Sequence, residues 1–332
     1  MRNTKNRYFI LFVAVFSYSW TQAANYLPNS YNGVAITPHT VYGLMPPIDT
    51  QLESKINIWL QNNSSLVDQL LNIGNPTAWQ HKWQGDSDLL KQYGYKNLSH
   101  DGYVASIPET DYLFKISGPK HQVLSMLATK GLVDEKLLQD NQYLNEQVAK
   151  RLQGQTLPTY QTASRAAYYL LLKSLLEKNR YQHLRVPETF LLFVPGHDKN
   201  VSDGNVILVQ KMVDNLHEQG ILNISNGAIK ELYEVIVLAG LWNVKDNLLV
   251  SKSGDMFITN GLHVIGFEEY PNMSSKHFFH KNKKIFDQNR IRGIKGLMDL
   301  FASDSSKIAL IKELIENDNR LSDCDKSELL KD

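Results

Sequence analysis

Cysteine is nearly missing: Cys324 stands alone in 332 residues. That excludes a disulfide-stapled scaffold and any C-x-x-C redox or zinc motif. Net charge is missing too, with 35 Lys and Arg against 34 Asp and Glu, a formal +1. So balanced a chain makes no electrostatic case for a nucleic-acid partner. Beyond the N-terminus no segment is long and apolar enough to span a bilayer. Internal repeats and low-complexity tracts are absent, as is a nucleophile elbow G-x-S-x-G. The His-Asp pair in "LFVPGHD" therefore lacks a serine, and His197 reads as a turn residue. His277 and His280 in "SKHFFH" have a spacing that metal sites use, but no further zinc ligand is visible. What remains is 42% hydrophobic and 21% charged, an ordinary globular composition long enough to bury a core without disulfides.

The N-terminus breaks this even composition. Arg2, Lys5 and Arg7 precede the apolar run "YFILFVAVFSYSW", and the small-residue exit "TQAA" follows. A basic start, a short apolar stretch and small residues make a secretory signal peptide over residues 1–24, with cleavage expected after Ala23 or Ala24. The apolar run is shorter than the about 20 residues a membrane span needs. The chain is expected to be exported, periplasmic or secreted, with no membrane span after signal removal.

Residues 25–97 read as an irregular arm, rich in Pro, Asn, Gly and Tyr up to residue 50, and then a helical extension. Leu52, Ile56, Ile58, Leu60, Leu66, Leu70 and Leu71 recur at helical spacing, and Asn62 to Ser65 break the pattern into two helices, with Ser65 as N-cap. Tyr103, Val104 and Tyr112 to Ile116 form β-type runs around a Pro-Glu-Thr-Asp turn. A helix is expected over 121–153, and a second in "TASRAAYYLLLKSLLEKN", capped by Thr162 or Ser164. "TFLLFVP" and "NVILVQKMV" read as strands, and "SNGAIKELYEVIVLAGLW" as a helix opened by Ser225 and stopped by Gly240. "NLLVS" and "DMFIT" then pair, "LHVIGFEE" is a further strand, and two helices close the chain. "HKNKKIFDQNRIRGIK" reads as a solvated helix face, and 323–332 as a charged tail holding Cys324. The pattern is α+β, without the alternation of a doubly wound sheet.

Several strings carry a further signal. "DYLFKISGP" sets Lys115 in mid-strand after apolar residues, "WNVKDNLLVSKSG" approximates D-x-K-x-x-N-x-L with Asn247 as its asparagine, and "HVIGFEEYPN" approximates an I-D-x-E strand. In this order, with a long helix after Lys115 and two strands leading to a linker, they resemble the protein-kinase fold. The chain is similar to a divergent bacterial kinase-like family carrying an export signal, over about residues 100–275. The resemblance implies a reduced two-lobed protein-kinase-like fold with a helical N-terminal extension, an N-lobe over 98–212 and a small C-lobe over 213–322. It implies that Lys115 pairs with nucleotide phosphates and that Asn247 holds a metal.

The departures are chemical. No G-x-G-x-x-G precedes Lys115, and the helix expected to face it, "SRAAYYLLLKSLLEK", offers only Glu177, near its far end. Asn243 stands where the catalytic-base aspartate belongs; its amide can orient a hydroxyl but cannot take its proton. The metal aspartate aligns with Asn260 or Gly266, so no carboxylate stands there. Three functions follow. The first is a catalytically degenerate, pseudokinase-like protein binding a nucleotide or a protein partner. The second is an atypical phosphotransferase using ATP and Mg²⁺, with Lys115 on the phosphates, Asp246 as base, and Asn247 with Glu268 or Glu269 on the metal. The third is a secreted structural or adhesion protein without cleft chemistry. In the blandest readings Lys115 is a surface lysine, Asn247 opens a turn, and Trp242 anchors a core.

Overall fold

The computed structural model describes residues 30–31, 34–36, 40–72, 86–98, 102–117, 161–194, 206–213, 224–242, 244–251, 254–259 and 283–331. The chain begins with a short ladder, β1 (Ser30–Tyr31) and β2 (Val34–Ala35), followed by helices α1 (Val41–Leu44), α2 (Thr50–Asn62), α3 (Ser64–Asn72) and α4 (Asp86–Gln92). Next come β3 (Gly102–Ser106), β4 (Tyr112–Ser117), α5 (Gln161–Asn179), β5 (Leu184–Arg185), β6 (Thr189–Phe193) and β7 (Val206–Lys211). The last third holds α6 (Asn226–Ala239), α7 (Val244–Asn247), β8 (Leu248–Val250), β9 (Met256–Ile258), α8 (Lys283–Leu300), α9 (Ser305–Asn317) and α10 (Asp323–Leu329). The architecture is α+β. The signal peptide, the helix expected over 121–153 and the strand expected in "LHVIGFEE" lie outside the described residues, as do His197, His277 and His280.

A four-stranded antiparallel sheet in the order β3-β4-β7-β6 is the centre of the first half. Both its faces are covered, which is why "VILV" in β7 is apolar without alternation. Tyr103, Ala105, Phe114, Ile116, Phe190, Leu192, Ile207 and Val209 point one way, into a core shared with Ile56, Trp59, Leu60, Leu66, Leu70 and Leu90 of the N-terminal helices. Leu191, Val206 and Leu208 point the other way, towards α5. The helical extension is thus packed on the sheet, and Trp59 Nε1 donates to Tyr95 Oη at 2.7 Å within that layer. The outer edge of β3 is also occupied: Asn97 Oδ1 accepts from Val104 N at 3.1 Å, and Leu98 N donates to Val104 O at 2.8 Å.

The second core surrounds α5 and continues through α6 to α8, α9 and α10. Ser225 caps α6 by accepting from Ala228 N, and Gly240 ends it in the left-handed region at φ 65°. A Cβ on Gly240 would lie 2.8 Å from the Phe286 ring, so helix α8 comes within a side chain's thickness of that turn. At Gly293 the approach is closer still, a Cβ there falling 2.0 Å from Leu241 O and 2.7 Å from Ile236 Cγ2. Below this contact Arg320 binds Glu234 at 2.6 Å and Asp318 at 2.8 Å, and Tyr233 Oη donates to Asp318 at 3.1 Å. Burial would raise the Asp318 carboxyl, but the hydrogen bonds and charge of Arg320 outweigh it and hold the group below its ordinary value.

Several local expectations need correction. Ser65 lies inside the first turn of α3 and its hydroxyl meets Tyr93 Oη at 3.1 Å; Asn63 makes the break. Asp49 is the cap of this region, accepting from Gln51 N and Leu52 N at the start of α2. Thr162 and Ser164 both lie within α5, not ahead of it. The basic stretch at the start of α8 is no plain solvated face, because Phe286, Asn289 and Arg290 are buried. The arm at 25–50 contains β1, β2 and α1, and its Ile36 and Val41 are fully buried against the α5 core. The final residues form α10, with a capping box between Ser322 and Asp325 and Leu329 buried; charge alone had hidden its two apolar anchors, Leu321 and Leu329.

Gly293→Ala is expected to destabilise the fold by about 1–3 kcal/mol, because the new methyl meets backbone that cannot swing aside. Gly296→Ala, one turn away with only Trp242 O at 3.8 Å from its Cβ, is expected to be neutral or stabilising by about 1 kcal/mol. Urea denaturation of the two variants beside the parent measures both.

Candidate functional site

The register of the sheet decides where Lys115 goes. Lys115 pairs with Val104 on one side and Leu208 on the other, so it shares the α5-facing surface with Leu208 and Leu191. Its neighbours Phe114 and Ile116 take the opposite face. The lysine stem therefore enters the space between sheet and helix, and the residue is only 6% exposed. The surface reading of Lys115 is overturned.

At the end of that stem the amine donates to the backbone carbonyl of Thr259 at 2.8 Å. The Tyr169 hydroxyl, from α5, donates to the same carbonyl. Lys115 Nζ lies 6.0 Å from the centroid of the Tyr169 ring. Arg165, one turn earlier on α5, is also buried. Helix α5 thus meets the lysine with a phenol and a cation, and not with a carboxylate, which agrees with the lack of a well-placed acid in its sequence. Burial pushes the Lys115 amine down to about 7, and the Arg165 charge pushes it the same way.

Thr259 is where the β8–β9 hairpin returns. Leu248 pairs with Ile258, and Thr259 N donates to Asn247 O at 2.9 Å. Asn247 ends the short helix α7, directly before β8, and is buried. It does sit at the mouth of a hairpin, as the turn reading expects, yet it is enclosed rather than solvated. The fold therefore brings together β4 through Lys115, α5 through Tyr169, and the hairpin through Asn247 and Thr259. Trp242, just before, is partly buried against the α5–α6 core. Asp246 contributes its backbone to α7. Asn243, Asn260, Gly266, Glu268 and Glu269 lie outside the described residues.

Tyr169, Arg165 and Thr259 were not found from sequence. Tyr169 and Arg165 lie in a helix whose Ala, Leu and Tyr content reads as core, and Thr259 enters through its main chain, which no side-chain pattern reports. Among the described residues no three His, Cys, Asp or Glu side chains converge as a metal site would require. Asn247 brings an amide oxygen and no carboxylate, so the described donors do not amount to a magnesium site. A cavity of about 490 Å³ follows the C-terminal half of α5; Tyr169 lines it and Lys115 does not. Comparison with protein-family models, with curated proteins and with solved structures returns no match.

Two expectations follow from the shared carbonyl. Lys115→Met keeps the stem and Tyr169→Phe keeps the ring, so each alone leaves Thr259 O one donor and is expected to cost about 1 kcal/mol or less. The double variant removes both side-chain donors from this part-buried carbonyl and is expected to exceed the sum of the singles by about 1 kcal/mol in a denaturation cycle. The second concerns pH. The unfolded chain keeps the Lys115 proton up to its ordinary value of 10.5, whereas the folded chain releases it at about 7. Between those values the unfolded state binds the extra proton, so stability rises with pH, by at most about 1.4 kcal/mol per unit. Lys115→Met is expected to remove that rise, read as the difference in unfolding free energy between parent and variant from pH 7 to 10.

Proposed function

We propose that the chain is an exported, kinase-like α+β protein that has lost phosphotransfer chemistry and acts by binding a nucleotide or a protein partner. One observation carries the reading. Lys115 and Asn247 come from two separate strings and meet at one residue of the hairpin: the Lys115 amine donates to the Thr259 carbonyl, and the Thr259 amide donates to Asn247 O. The contact between these two strings supports the kinase-like reading. The order of elements supports the same reading: a strand pair, a long helix, two strands, then a helix running through a short loop into a hairpin.

What the lysine does there favours binding over catalysis. Its amine is already spent on a carbonyl, and burial together with Arg165 lowers its charge near neutral pH. A phosphate-pairing lysine needs a persistent positive charge facing the ligand. Asn243 in the base position and Asn260 or Gly266 in the metal position withhold the carboxylates that phosphoryl transfer needs. The alternative, an atypical phosphotransferase drawing on Asp246, Glu268 or Glu269 with ATP and Mg²⁺, keeps a distinct signature.

A thermal-shift titration with ATP separates these readings, using the chain from Asn25 onward, with and without Mg²⁺ or Mn²⁺. A ligand bound only by the native state raises Tm with occupancy. The expected result is a shift of equal size with and without metal, and no phosphate transfer. A metal-dependent shift that disappears in Lys115→Ala, accompanied by turnover, would overturn the degenerate reading. No shift in folded protein would remove the nucleotide and leave the protein partner.

A further inference from the structure

The cavity along α5 offers a separate site, and its argument does not depend on the kinase-like reading. Its floor is apolar, formed by Leu170 and Leu176 of α5 with Leu184, Val186 and Pro46. At about 490 Å³ it falls within the size range of small-molecule pockets, roughly 300–1,000 Å³. Charged side chains stand around it, and most are already engaged. Glu188 accepts from Tyr112 Oη at 2.7 Å. Arg185 reaches Asp255 at 3.6 Å and the carbonyl of Leu184 at 3.0 Å. Lys173 and Glu177 face each other at 4.0 Å, both half-exposed.

Arg180 is the exception. It lines the same cavity, and among the described residues its guanidinium has no partner. Its backbone is exceptional as well. Arg180 N donates to Glu177 O and Tyr181 N to Leu176 O, both at 3.2 Å, which is the Schellman ending of a helix. The residue at that position takes φ 54°. Glycine adopts this conformation freely, whereas a residue with a Cβ does so against a steric penalty. The helix end therefore carries a less favourable residue than its own geometry calls for, and that residue presents a planar double donor at the mouth of an apolar cleft.

We propose that this cavity binds a small amphipathic monoanion, an aliphatic or aromatic carboxylate, with its apolar body on Leu170, Leu176 and Val186 and its carboxylate on Arg180. The complementarity is one cation without a partner among the described residues, set beside apolar side chains, which suits a single negative charge and neither a polyanion nor a neutral solute.

Isothermal titration of the chain from Asn25 onward with octanoate, and with 1-octanol as the uncharged control, tests this. Saturable one-to-one binding of octanoate is expected, with octanol weaker by about tenfold, the weight of one charge-assisted hydrogen bond. Arg180→Gly should weaken octanoate to the level of octanol while Tm holds or rises, since glycine suits the left-handed position. A merely structural arginine would give the opposite pair of results. Val186→Trp, which fills the cleft, should abolish binding of both probes. Failure of octanoate to bind folded protein at millimolar concentration, or binding unchanged in Arg180→Gly or in Val186→Trp, would overturn the proposal.

Discussion

A single backbone carbonyl, that of Thr259, holds the parts of this protein in register. It accepts from the amine of Lys115 on the central sheet and from the hydroxyl of Tyr169 on helix α5. The amide of the same residue donates to Asn247 at the head of the hairpin. Elements far apart in sequence are thereby fixed to the main chain of one residue. A part-buried carbonyl between a sheet and a helix calls for donors, and here two side chains supply them. The lysine answers that need at the cost of its own solvation, which is why its proton is held so weakly.

That arrangement bears on function through a competition. The Lys115 amine can satisfy the main chain or face a ligand, and a phosphate would have to displace an existing hydrogen bond from a group that burial discourages from charging. Binding at this point would then require the hairpin or α5 to shift, whereas the cleft farther along α5 is open without rearrangement. Tyr169 belongs to both places, lining the cleft and holding the carbonyl.

Much of this fold could be read from the chain. Ser225 and Gly240 marked the two ends of α6, because a side-chain cap and a left-handed stop are local requirements with local solutions. The strand pairs β3–β4, β6–β7 and β8–β9 were visible in their β-branched and aromatic runs. The layer order was not visible. Nothing in "INIWLQNN" says which face of which sheet it will cover, since apolar periodicity states that a face is buried and not against what. The site was legible in part: Lys115 and Asn247 could be singled out, but their burial and their meeting at Thr259 depend on the register of β4 and on a main-chain acceptor. Arg180 was illegible because an arginine after a helical run looks like any exposed cation; only its φ distinguishes it.

The outer edge of β3 carries a consequence of another kind. A strand with free main-chain groups at the rim of a sheet is a template on which a second copy can extend the ladder. Here the preceding turn folds back so that Asn97 and Leu98 take both the N–H and the C=O of Val104. The middle of that rim has nothing left to offer an incoming strand. Residues 97–98 thus act as a selvedge, finishing the sheet within the chain itself so that growth by strand addition at β3 is blocked where it would otherwise be easiest.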